Sequence, residues 1–151
     1  MMRSLALLSL ALLAGCGQGE QAGAPATSTT SVVRQQDAAQ VARGLVVYEQ
    51  YCAACHGEQG KGQPGDWRQR GPDGKYPPPP LDDSAHAWHH PTAMLKRVIA
   101  QGSPGGSGNM PAWQGHLSEG QIDDVVAYIK SLWSNEIYAV WYDIEQRSLQ
   151  N

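Results

Sequence analysis

Apolar residues recur at helical spacing in four stretches of this chain. Val41, Gly44, Leu45 and Tyr48 stand at i, i+3, i+4 and i+7, which predicts an amphipathic helix running into Cys52. In "HPTAMLKRVIAQG", Pro91 suits a first turn, Leu95, Val98 and Ile99 form an inner face, and Gly102 lies just past the end. In "LSEGQIDDVVAYIKSLW", Ser118 and Gln121 make a capping-box pattern, and Ile122, Val125, Val126, Ile129 and Trp133 follow on one face. After it, Ile137, Tyr138, Trp141 and Ile144 give a last stripe, expected to pack back on the domain. No stretch alternates as a strand does and no segment repeats, so the pattern predicts an all-α, loop-rich domain.

The first residues follow a different rule. Arg3 precedes an apolar run from Leu5 to Leu13 that is too short to span a bilayer, and Ala14 and Gly15 then lead to Cys16. This reads as a secretory signal over residues 1–15. Its ending, "LAGC", resembles a bacterial lipobox, which implies cleavage before Cys16 and lipidation of that cysteine. Acyl chains contribute about 0.8 kcal/mol per buried methylene, and more than one chain anchors stably. Residues 16–34 continue small and polar without helical period, a flexible linker with a reach on the order of 25 Å. The expected organisation is thus a leader, a tether, a domain over residues 35–134 and a helical extension over 135–151. The protein would be exported, facing the periplasm while tethered to a bacterial membrane.

Composition narrows the function classes. A chain of 151 residues with 11 basic and 14 acidic side chains offers one domain and no basic surface for nucleic acid. Seventeen glycines, ten prolines and no phenylalanine leave little apolar area to offset chain entropy. Something other than side chains should complete the core.

The cysteines suggest what. With Cys16 assigned to lipid, Cys52 and Cys55 remain, in "CAACHG". A structural zinc site usually takes four ligands, and there is no second cysteine pair. A thioredoxin-like redox pair needs a βαβ pattern, and the periodicity is helical. The third option is covalent haem attachment by C-x-x-C-H. One helical turn would present both sulfurs to one porphyrin edge and set His56 under the iron.

From about residue 36 to 134 the chain resembles a monohaem class I cytochrome c, on "CAACHG" and "NMPAW". The resemblance implies one covalent haem c held by Cys52 and Cys55, with His56 and Met110 as axial iron ligands. It places Gly44 against Tyr128 at a helix crossing. It also implies that the Pro79 carbonyl orients His56, and that Leu81 and Trp113 belong to the haem environment. The stretch from Gly57 to Pro78 is longer than in small family members, a departure that bears on Pro79.

For the iron's second face, Met110 lies in a loop after Gly105, Gly106 and Gly108 and before Pro111, where backbone can approach a flat cofactor. Met94 sits on a helical stripe and is expected in the core. "HAWHHP" is the rival: His86, His89 and His90 could bind copper or supply a second imidazole. His116 is expected at the surface. With both axial positions filled, the expected function is a membrane-tethered carrier of single electrons between a redox donor and acceptor, not a catalyst. The alternatives are a haem c subunit of a larger respiratory oxidoreductase, a labile sixth ligand that admits small molecules, and copper handling.

Overall fold

A computed structural model describes Val32, Arg34 and residues 36–150. The signal segment, Cys16 and most of the linker lie outside the described residues. Five α-helices, α1 (Ala38–Tyr51), α2 (Ala53–His56), α3 (Thr92–Gln101), α4 (Glu119–Ser131) and α5 (Asn135–Ser148), are joined by loops and three short 3₁₀ turns. No strand forms among the described residues, only isolated bridges. The all-α reading holds. No described helix is long and apolar enough to cross a membrane.

Asp37 caps α1, its carboxylate accepting from Ala39 N at 2.9 Å. The helix buries Gly44, Val47 and Tyr48, while Leu45 remains 37 % exposed. The expected stripe through Leu45 is therefore displaced by part of a turn. The crossing of α1 over α4 at Gly44 decides the displacement. A Cβ on Gly44 would come 2.0 Å from the Asp124 carbonyl oxygen and 2.8 Å from Tyr128 Cβ, so only glycine lets the two backbones meet. Tyr48 and Tyr128 stack at a tilt beside this contact, with ring centroids 4.9 Å apart.

Helix α4 carries the centre of the core: Ile122, Val125, Val126, Tyr128 and Ile129 are all buried. Each such aliphatic side chain contributes about 1.5–3 kcal/mol by leaving water. Its capping box forms in full, with Ser118 Oγ accepting from Gln121 N and Gln121 Oε1 accepting from Ser118 N. Helix α5 buries Tyr138 and Trp141 against Trp133, so the extension packs on the domain as its stripe predicts.

Two residues assigned to the linker by composition also join the fold. Val32 packs against the core, and the Arg34 guanidinium donates to the carbonyls of Trp133 and Ser134 and lies over the Tyr138 ring. Both carbonyls lie in the link between α4 and α5, where Ser134 O also accepts from Tyr138 N at 2.9 Å.

Candidate functional site

The "CAACH" segment folds as one turn of helix continuing from α1. Cys55 N and His56 N both donate to Cys52 O, at 3.1 and 2.9 Å, so both cysteines and the histidine ride on a single turn. Gly57 ends it at φ +76°, and a Cβ there would meet Gly62 O at 2.2 Å. The buried Tyr48 hydroxyl donates to Gly57 O at 2.7 Å, fastening this turn to α1 from beneath. Burial pushes the Tyr48 phenol well above its ordinary range, so it stays a donor.

His56 Nδ1 donates to the Pro79 carbonyl at 2.8 Å, the pairing that the resemblance implies. That bond fixes the tautomer and leaves the Nε2 lone pair for a metal. Burial holds the His56 pKa below its ordinary value, partly opposed by the Pro79 bond, so the ring is neutral at pH 7. Despite the long insert before it, Pro79 is in register. The segment is fixed just beyond, where Leu81 N donates to Gly60 O at 2.6 Å and Trp133 Nε1 donates to Leu81 O at 2.9 Å.

The two cysteines are free thiols. Burial, with repulsion from Cys55 added, raises the Cys52 pKa to about 11. A redox-active C-x-x-C pair lowers a thiol instead, so the thioredoxin reading loses its chemistry here. Cys52, Cys55 and His56 do not converge on one small ion either, since no group of three such side chains among the described residues is placed to hold one. Adjacent free thiols beside a neutral, oriented imidazole suit a large planar ligand attached at its edge.

Cys52, Leu81, Trp88, Leu95, Met110 and Trp113 are all half-buried and pack against one cluster of buried residues. Trp113 meets Tyr51 edge-on at 5.4 Å between centroids. Enclosed polar atoms without a protein partner remain at Trp88 Nε1 and His86 Nδ1. The residues therefore fit haem c: thiols for its vinyl groups, an imidazole for its iron, and apolar walls.

Other sequence expectations come out differently. Met94 is outside the core cluster. It lines an open groove of about 350 Å³ beside Arg97 and Val98, and its sulfur accepts from Arg97. The reason is the turn of α3, which buries Ile99 and leaves the Met94 edge outside. His86 stacks on Trp67 at 4.8 Å, His90 meets His86 edge-on at 5.6 Å, and His89 packs against Trp88. The histidine rings are thus engaged with aromatic neighbours. His116 is exposed, as expected.

Two groups near the site escaped the sequence reading. Ser103 brackets Met110, its hydroxyl accepting from Met110 N and its amide donating to Met110 O. Asn109 is gripped by Asp73 and Lys75. The "GPDG" turn was the available signal for the second, but nothing in the sequence says which loop it touches.

A family model described as "Cytochrome C oxidase, cbb3-type, subunit III" matches residues 39–129. The chain is 33 % identical over 96 residues to the cbb3-type cytochrome c oxidase subunit CcoP of Azospirillum sp. (strain B510), covering 64 % of this chain and 30 % of that protein. It is 32 % identical over 99 residues to the CcoP subunit of Azospirillum brasilense, covering 66 % of this chain and 30 % of that protein. Against the FixP subunit of Bradyrhizobium diazoefficiens the identity is 33 % over 91 residues, covering 60 % and 27 %. The chain thus spans less than a third of the length of these relatives. The domain they share takes covalently bound haem c.

Proposed function

We propose a function from one premise: the chain belongs to the family of cytochrome c oxidase, cbb3-type, subunit III. On that premise it is a haem c electron-transfer domain that serves a respiratory oxidoreductase as a subunit, taking single electrons from a donor and handing them on. This replaces the freestanding carrier as the first reading, because the matched relatives are oxidase subunits by name. The observation that carries the site assignment is the 2.8 Å bond from His56 Nδ1 to Pro79 O beside two free thiols.

Haem c bound here would supply a reversible one-electron iron couple. Cys52 and Cys55, on one helical turn beside α1, would hold it covalently. His56, its Nδ1 bound to Pro79 O, would offer Nε2 to the iron, and Met110 would offer its thioether. Two protein ligands of this kind would keep small molecules from the iron and hold its coordination nearly constant between oxidation states. A thioether also raises the potential relative to two imidazoles, which suits donation to a high-potential acceptor. Leu81, Trp88 and Trp113, half-buried against the core, would give the haem apolar walls.

The exported setting belongs to the same proposal. Cys16, in "LAGC", carries the lipid, and the segment after it tethers the domain on the periplasmic side of the membrane.

Gentle solubilisation of native membranes tests the role. The protein should comigrate with an oxidoreductase complex and become oxidised when that complex turns over. Migration at its own mass, with no oxidase activity in the fraction and no change in its redox state during respiration, would return the free carrier to first place.

A further inference from the structure

The insert between the haem-attachment motif and Pro79 does more than lengthen a loop. Its tip is a tight turn: Gly74 N donates to Gly71 O, Gly71 N donates to Lys75 O at 2.8 Å, and the Asp73 carboxylate accepts from Lys75 N at 3.0 Å. Arg70 braces it from outside, its guanidinium 4.2 Å over the Tyr76 ring and donating to Gly74 O. This rigid tip reaches across to the loop that carries Met110. Tyr76 N donates to Ser107 O at 2.9 Å. Both ends of the Asn109 side-chain amide are taken: Asn109 Nδ2 donates to Asp73 Oδ2 at 2.8 Å, and Asn109 Oδ1 accepts from Lys75 Nζ at 2.7 Å.

Asn109 is the residue before Met110. On the other side, Ser103 holds the Met110 amide and carbonyl at 3.0 and 3.1 Å. Met110 is therefore suspended between a bracket from the end of α3 and a clamp from the insert. A Gly-rich segment such as "GGSGNMP" loses much chain entropy when ordered, so directional bonds must offset it.

We infer that Asp73 and Lys75 are positioning residues that clamp Asn109 and thereby hold the Met110 thioether on the iron. This rests on the proposed role of Met110 as the sixth ligand. The Asp73 carboxyl lies below its ordinary range, held there first by Lys75 N–H and next by Asn109, so it acts as an anion in the clamp. Asp73 and Asn109 are exposed and Lys75 is half-buried, so the clamp governs how often the loop opens rather than whether the domain folds.

The test uses the full-length haem-loaded protein and carbon monoxide as probe. Asp73→Ala, Lys75→Met and the pair should keep the six-coordinate spectrum. Ferrous carbon monoxide binding should rise by roughly threefold to tenfold for each, as loss of a charge-assisted hydrogen bond implies. The reduction potential should fall, and the urea midpoint should stay near that of the parent. Lys75→Arg should restore part of the slow binding. Arg68→Ala, on the same insert but away from Asn109, should change none of these. Binding rates and potentials equal to the parent in the Asp73 and Lys75 variants would overturn the clamp. Met110→Ala separates the two levels: if its axial-ligand spectrum matches the parent, the sixth-ligand assignment itself has failed, and the clamp with it.

Discussion

The carboxylate of Glu145 in α5 accepts a hydrogen bond at 2.7 Å from the backbone N–H of Thr92, the first residue of α3. Pro91 stands at the N-cap there and has no side chain able to cap. The extension thus supplies, from 53 residues downstream, the acceptor that the helix start lacks. Helix α5 also packs on the Ala87–His89 turn, so it holds the wall that contains Trp88.

Glu145→Ala should therefore cost about 1 kcal/mol, the usual worth of a helix cap, while Glu145→Gln should cost a fraction of that because an acceptor oxygen remains. Urea unfolding of the haem-loaded protein measures both. Equal losses would mean that the charge, not the cap, is what α5 contributes.

Gly44→Ala should be the most damaging small substitution in α1. The new methyl would lie 2.0 Å from Asp124 O, and backbone cannot yield as a flexible side chain does. We expect a loss of about 3 kcal/mol or more and poor haem retention, read from the unfolding midpoint and the haem-to-protein ratio. Ala42→Gly, on an exposed position of the same helix, should cost only about 1 kcal/mol.

Tyr48→Phe removes one atom from a buried ring that is 1 % exposed and strands the Gly57 carbonyl. The expected cost is about 1–3 kcal/mol, from desolvating an acceptor left unpaired. Because Gly57 follows His56, the spectrum should also show a weakened imidazole field. A stability loss with no spectral change would confine Tyr48 to packing.

His86 and His90 give the fold a pH dependence. Burial comes first among the causes that lower both pKa values from 6.5, with neighbouring histidines and, for His86, Arg68 adding to it. The folded protein then binds fewer protons than the unfolded chain in mild acid. Their contribution is complete above pH 6.5 and is lost as pH falls from there through the folded values. The urea midpoint of the haem-loaded protein should drop between pH 7.5 and pH 5.5, and His86→Gln should make the drop shallower. An unchanged slope in that variant would remove His86 from the account.

The helices were legible because their signals are local. Ser118 and Gln121 lie three residues apart, and the stripe from Ile122 to Trp133 needs only the 3.6 period. Leu45 misled because periodicity gives a face to within part of a turn, whereas the crossing at Gly44 fixes it, and that crossing depends on a helix 80 residues away. "CAACHG" is a short-range signal for haem c, the cofactor of the family, and "NMPAW" is the equally local basis for proposing Met110 as a ligand. The Pro79 carbonyl could be anticipated only through resemblance, since a backbone acceptor has no residue signature. The Asp73, Lys75 and Asn109 clamp was invisible for a related reason: three common polar residues in two loops carry no pattern until the fold brings the loops together.

We propose His56 and Met110 as the two axial ligands of one covalent haem c. Visible and near-infrared spectra of the haem-loaded protein in both oxidation states, beside those of Met110→Ala, test it most directly. We expect a low-spin, six-coordinate haem c whose near-infrared thioether signature in the oxidised state vanishes in the variant. A high-spin parent, a two-imidazole spectrum, or a variant indistinguishable from the parent would contradict it.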